Sequence, residues 1–411
     1  MTKMRIGGGF LALLLLLCVA GTGKADTVDM ATGQNAPACV PPGTWADPAN
    51  GNRQSLPAMI SSLAKRPVVL LGETHDNADH HLWQLQVIAA LHGRNPNMVL
   101  AFESFPREVQ PALDRWIRGE LDENAFLVHT RWHDVWRFDS ALYMPLFHFA
   151  RINRIPMIAM NVNRSLISRT GQEGWASIPQ AEREGVGEPA PPSKAYLDSL
   201  AATYAAHNRT EDTTPTPPAH DDPAFRRFAD AQGVWDRAMA ERLADVRGAG
   251  GRPLVVGIAG RGHMEYGYGI PHQLRDLGIP NPATLLPWDQ DRPCEDLKSA
   301  DNVPVADGVF GLSGFTRGDT DRPRLGVMIV THEGEGVLVN GVTAGSIAER
   351  AGLERDDIII TAAGQKTGTP GALIAIIQAQ APGTWLPLGV QRNGRLLEII
   401  AKFPAPHTAT P

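Results

Sequence analysis

The chain has 411 residues, three cysteines and a formal net charge of -6. That length makes two domains the expectation, and the composition is that of a globular protein. With 38 basic against 44 acidic side chains, no cationic excess exists to neutralise phosphates, which excludes a general nucleic-acid binder.

Residues 1–25 read as a secretory signal. Lys3 and Arg5 supply positive charge, Phe10 to Ala20 an apolar stretch too short to span a bilayer, and Gly23-Lys24-Ala25 a small-x-small cleavage site. The expected location is therefore periplasmic or envelope-associated. A lipid anchor at Cys18 is disfavoured by the large Leu17 before it. Residues 26–55 are rich in Pro, Gly, Asn and Thr and read as an irregular leader. Once Cys18 leaves with the signal, Cys39 and Cys294 remain. An oxidising compartment allows a bridge between them, while spacing alone leaves two free thiols equally open.

From Leu56 the pattern alternates between helix and strand. Leu56 to Leu63 reads as a helix and Val68-Val69-Leu70-Leu71 as a buried strand. Asp79 to His92 reads as an amphipathic helix with Leu82, Leu85, Ile88, Ala89 and His92 on one face. The Val99 strand, helices over Pro106–Trp116, Asn124–Val128 and Tyr143–Ile152, and the Met157 strand follow. This spacing predicts a mostly parallel sheet flanked by helices, an α/β domain over 56–290. Residues 179–223 interrupt it as a Pro-rich insertion or lid that contains the helical piece Ser193 to His207. A long helix over Asp222 to Val246 and the Leu254 strand complete it. Residues 291–304 read as a linker, and 305–404 as a small β-rich unit with one short helical turn.

Two strands end alike. Val68–Leu71 runs into Gly72-Glu73-Thr74-His75, and Leu254–Ala259 into Gly260-Arg261-Gly262-His263. Between them, one strand ends at Glu103 and another at Asn161. Strand ends are where parallel sheets keep their chemistry. Glu73, His75, Glu103 and His263, with Asn161 and Arg261 nearby, are thus the candidate site. Such a set suits a divalent ion such as Zn or Mn on His75, Glu103 and His263, or general acid and base work. His80 and His81 open the next helix, one of them facing the same cleft. No Gly-x-Ser-x-Gly, Cys-x-x-Cys or strand-borne Gly-x-Gly-x-x-Gly occurs, so nucleophilic and dinucleotide chemistry lack support.

The segments Leu71-Gly72-Glu73-Thr74-His75-Asp76-Asn77, His80-His81, Phe102-Glu103-Ser104-Phe105-Pro106 and Gly260-Arg261-Gly262-His263-Met264-Glu265-Tyr266 resemble, in order, the motifs of the ChaN-like haem-binding proteins. These are similar in fold to the Tiki, TraB and erythromycin-esterase proteins. The resemblance implies an exported, iron-regulated haem binder with tyrosine ligation at a homodimer interface. It makes Tyr266 the candidate ligand, Tyr143 the reserve, and His75, His80, His81 and His263 further cofactor-binding residues. It equally implies, as the rival reading, a periplasmic metal-dependent hydrolase using Glu73, His75, Glu103 and His263. Whether the chain is an enzyme stays open. Gly336–Val339, Gly345 to Leu353 and Asp356–Ile360 resemble a bacterial PDZ domain, a module that binds protein or peptide C-termini. Arg324, Leu325, Gly326 and Val327 would cradle the carboxylate, and a helix over Ala372–Gln378 would wall the groove. A third reading is an envelope scaffold acting through this module.

Overall fold

The computed structural model describes residues 39–208, 216–314 and 323–405. The expected signal segment and Cys18 lie outside the described residues. The first sheet has eight strands: β1 (Trp45–Ala46), β2 (Arg53–Gln54), β3 (Val68–Glu73), β4 (Met98–Pro106), β5 (Met157–Asn161), β6 (Leu254–Gly260), β7 (Ala283–Asp289) and β8 (Gly308–Leu312). Their order is β2-β1-β8-β7-β3-β6-β4-β5. Neighbours from β8 to β5 are parallel, and β1 and β2 add antiparallel at the β8 edge. The near-continuous apolar strands fit a sheet covered on both faces.

Helices α1 (Leu56–Leu63), α2 (Ala78–His92), α3 (Gln110–Arg118), α4 (Glu123–His129), α5 (Trp132–Val135) and α6 (Ser140–Ile152) precede β5. Next come α7 (Arg164–Glu173), α8 (Lys194–His207), α9 (Pro223–Gly248) and α10 (Gly269–Asp276). Strand side chains alternate between two cores. Val69 and Leu71 of β3 pack with residues of α2 and α6, whereas Val68 and Leu70 pack with residues of α9 and α10. This alternation decides which layer each strand-end residue meets.

Two boundaries of the first domain differ from the sequence reading. Residues 39–54 are irregular apart from β1 and β2, as expected, but they are packed onto the first domain: Val40, Trp45 and Ala46 are buried, and Cys39 is disulfide-bonded to Cys294 with Cα atoms 5.7 Å apart. Residues 305–312 belong to the first domain, not the second. Val305 and Val309 lie in its core, and β8 covers the edge of β7, which would otherwise expose unpaired backbone. The described part of the Pro-rich insertion has buried anchors: Val186 joins Trp175, Ile178, Val234 and Ala238 in one cluster, and Tyr196, Leu200 and Ala201 pack with Phe225. The buried face of α2 also differs. His80, His81, Trp83, Gln84, Val87, Ile88 and Leu91 are buried, while Leu82 is 56% exposed.

The second sheet is antiparallel. Its strands are β9 (Val327–Thr331), β10 (Val337–Val342), β11 (Ile358–Ala362), β12 (Gln365–Lys366), β13 (Trp385–Arg392) and β14 (Arg395–Lys402). Their order is β14-β13-β11-β10-β9, with β12 on β11. Helices α11 (Ile347–Ala351) and α12 (Pro370–Gln378) pack on it.

Candidate functional site

Strand β6 lies between β3 and β4, so the two Gly-x-x-His motifs and Glu103 arrive at one stretch of the carboxyl edge. Glu73 is the register partner of Gly260. The two motif glycines serve each other. A Cβ on Gly260 would stand 3.0 Å from Cε1 and 3.3 Å from Nε2 of His75. A Cβ on Gly72 would stand 3.2 Å from Met264 Sδ and 3.3 Å from the Arg261 Cα, and would run into the Leu286 side chain. Each glycine thus makes room for the loop of the opposite motif.

Glu73 turns toward α2 and α6 and gathers three donors. His75 donates from Nδ1 to Oε1 at 2.9 Å, and His81 Nε2 lies 3.0 Å from Oε2. The Tyr143 hydroxyl donates to Oε1 at 3.0 Å and Oε2 at 3.2 Å. The far side of the His81 ring meets the Gln84 amide oxygen at 3.1 Å, and Gln84 donates to the Leu71 carbonyl. Burial pushes the Glu73 carboxyl up, but the bonds and charges of His75 and His81 outweigh it and hold it at about 2. The His75 side chain keeps 28% exposure. Its ring lies 4.6 Å from Trp136 and 5.0 Å from Phe138, centroid to centroid.

Glu103 turns the other way. It accepts the Gly260 backbone N–H at 2.7 Å and lies 3.4 Å from His263 Nε2. The opposite nitrogen, Nδ1, donates to Asp236 Oδ1 of α9 at 2.6 Å. Asp236 is fully buried and also accepts the Tyr196 hydroxyl at 2.7 Å. Burial opposes charge on His263, but Glu103 and Asp236 outweigh it and push the imidazole up to about 10. His263 is thus an imidazolium clamped between two carboxylates. Burial raises the Asp236 carboxyl, and His263 and Tyr196 offset that only in part. Asn161 donates to the Glu103 carbonyl at 2.8 Å and accepts from Trp235 Nε1 at 2.7 Å, tying β5 and α9 to the site.

Glu73, His75, Glu103, His263 and Asn161 therefore come together, with His81 and Tyr143 behind Glu73. His80 does not join them: its Nδ1 accepts the Thr74 N–H at 2.9 Å and its Nε2 meets Asp289 at 3.1 Å. Arg261 stays at the rim, 3.8 Å from Glu265. The Tyr266 hydroxyl donates to the Asp296 carbonyl at 2.9 Å. The expected ion set of His75, Glu103 and His263 does not form a ligand cluster. Among the described residues no group of three or more His, Cys, Asp or Glu is arranged to hold a metal, and both His263 nitrogens already face carboxylates. Sequence reading missed Asp236, Tyr196 and Gln84. The one signal for Asp236 was an acid inside the apolar stripe Val234, Ala238, Met239.

In the second domain β9 is an edge strand. Before it, Arg324 is exposed and Leu325 buried. Leu325 and Gly326 hold the α11 loop by accepting the N–H groups of Ala348 and Thr343. Gly326 has φ +84°, and a Cβ there would run into Ser346, so this turn requires glycine. Met328 and Val330 of β9 and Ile374 of α12 are exposed apolar side chains, at 60%, 41% and 42%.

The fold and site define a mostly parallel α/β domain with polar side chains gathered at its strand ends, followed by an antiparallel module in which β9 is an edge strand among the described residues. The family of haem-binding uptake proteins of the Tiki superfamily, ChaN, matches residues 59–274, and the PDZ domain matches 338–392. The chain belongs to this ChaN family and carries a C-terminal PDZ domain. It is 24% identical over 254 residues to Protein RETICULATA-RELATED 5, chloroplastic, of Arabidopsis thaliana, covering 59% of this chain and 34% of that one. It is 37% identical over 73 residues to a protein named probable periplasmic serine endoprotease DegP-like of Chlamydia muridarum, covering 17% of this chain and 15% of that one. The chain thus spans about a third and about a seventh of these relatives. A solved structure described as cofacial heme binding to ChaN of Campylobacter jejuni aligns at 18% identity and a TM-score of 0.48, over 65% of this chain and 95% of that one.

Proposed function

We propose that this chain is an exported haem-binding protein associated with iron uptake, and that its PDZ domain captures a protein or peptide C-terminus. The observation that carries the reading is the family match over 59–274, a span that contains both Gly-x-x-His motifs and the polar cluster they build. His75, the part-exposed imidazole of the site, lies beside the half-buried rings of Trp136 and Phe138. When bound, haem would supply an iron centre for carriage. The homodimer that the resemblance implies belongs to the same proposal. Export is supported by residues 1–25, and an N-terminus of the mature protein near Ala25 in a periplasmic fraction is the expected result. Support for peptide capture comes from β9, an edge strand among the described residues, beside α12, with exposed Met328, Val330 and Ile374. Titration of the full chain with haemin should give a saturable Soret change, and no saturable change sinks the haem reading.

A hydrolytic reading draws on one specific feature. His75, with Glu73 behind it, projects beside Glu103 over Gly260, which is a general-base arrangement. Stoichiometric metal in the purified protein, with an esterase or peptidase activity lost on His75→Ala and no haem affinity, would favour it.

A further inference from the structure

We propose that the groove between α1 and the amino ends of β7 and β8 is a second small-molecule site, and that it takes a free α-amino acid with an apolar side chain. The proposal is independent of the haem reading. The Gly-x-x-His motifs close the carboxyl ends of their strands, whereas this groove lies at the opposite edge: Arg66 precedes β3, and Gly308 opens β8. Along α1 and its flanks, Ser55, Met59, Ser62 and Arg66 recur every three or four residues and so share one face. That face looks onto Leu285 and Asp307 across a cavity of about 340 Å3. This is the lower end of the range for ligand pockets, which are mostly apolar with a few fixed polar groups. Three of the lining side chains converge on Gly308. A Cβ there would stand 3.1 Å from Leu285 Cδ2 and 3.2 Å from both Gln54 Oε1 and Met59 Sδ.

The polar groups choose the ligand. Gln54 Oε1 is a buried acceptor that has no hydrogen-bond partner among the described residues, so it calls for a donor. Asp307 accepts the Thr284 N–H at 2.8 Å. Partial burial raises its carboxyl and Asp47 adds to this, while the Thr284 N–H and Arg66 offset them only in part. A positively charged donor therefore suits this end. Arg66 makes one long contact, 3.4 Å from Nη1 to the Asn281 carbonyl, and among the described residues it pairs with no acid. Arg66 and Asp307 thus face one cavity without touching each other. Opposite charges held apart beside an apolar wall suit a zwitterion. Its ammonium would donate to Asp307 and Gln54 Oε1, and its carboxylate would accept from Arg66. Its side chain would lie against Met59, Leu63 and Leu285, with the unbranched Met59 adapting to its shape. An amine alone leaves Arg66 unanswered, and a carboxylate alone leaves Asp307 and Gln54 unanswered.

Calorimetric titration of the full chain with three probes tests this: L-leucine, isoamylamine, which lacks the carboxylate, and isocaproate, which lacks the ammonium. L-leucine should bind saturably. Each half-probe should bind about 10- to 100-fold more weakly, the loss that one missing charge-assisted contact implies. Arg66→Ala should weaken L-leucine by a similar factor and leave isoamylamine unchanged. Asp307→Asn, whose amide oxygen still accepts the Thr284 N–H, should weaken L-leucine and leave isocaproate unchanged. Circular dichroism confirms that each variant folds, and the comparison of the three probes on the wild type decides the ligand class without any variant. No saturable heat with L-leucine, or a half-probe that binds as tightly, overturns the proposal. So does an L-leucine affinity that is the same in the wild type and both variants.

Discussion

On one face of the large sheet Glu73 gathers His75, His81 and Tyr143; on the other, Glu103 shares His263 with Asp236. The strands deliver the same residue types to both faces, and the helical layers make them differ. Behind Glu73, α2 and α6 supply donors, so the carboxylate is satisfied and, among the described residues, His75 Nε2 has no hydrogen-bond partner. Behind His263, α9 supplies a second acid, so the imidazole is locked as a cation. A motif therefore sets which side chain reaches the edge, and the covering helix sets what that side chain does.

The largest test of this contrast is stability. His263→Ala leaves Glu103 and Asp236 buried without their shared cation, which should cost about 3–5 kcal/mol. His75→Ala should cost under about 1 kcal/mol, because Glu73 retains His81 and Tyr143. Urea unfolding of both variants measures the gap, and equal losses would break the contrast. The two faces should next separate by pH. Glu73, held at about 2 against an ordinary 4.5, contributes fully above pH 4.5 and loses its contribution as pH falls toward 2. His263, raised from 6.5 to about 10, contributes fully below pH 6.5 and loses its contribution as pH rises through 10. Each should amount to a few kcal/mol, so stability should peak between pH 4.5 and 6.5. His263→Ala should abolish the alkaline limb and, because Glu103 loses the cation that holds its carboxyl down, reshape the acid limb as well; an alkaline limb that survives it would assign the titration elsewhere. A further effect is steric. Gly260→Ala should displace the His75 ring and cost about 1–3 kcal/mol, read as a lower thermal midpoint together with weaker haem binding. A variant that melts like the wild type would show that the ring has slack.

Much of this was readable in the chain. Runs such as Val68–Leu71 and Leu254–Ala259 are apolar enough to be covered strands, and the glycines after them mark where each ends. The face of α2 was misread because its inward side carries His80, His81 and Gln84, polar groups satisfied by hydrogen bonds that hydrophobic periodicity scores as outward. Asp236 and Tyr196 escaped for the same reason: on a helix an acid reads as solvent-facing until its partner 27 residues away is known. The two-residue strands β1 and β2 are too short to show a period. They are held by the Cys39 bridge and by Trp45 packed against Trp83 and Phe310, neither of which local pattern reveals.

Gly72 and Gly260 reach beyond the cleft. Each is small for the sake of the other motif's loop, so neither stretch has a shape of its own to keep. A change in one is judged by what already stands in the other, and a lone copy moved into a foreign sheet would lack the neighbour that gives its glycine a purpose. The pair behaves as a single word written in two places, and a spelling change in either half must be matched in the other to stay legible.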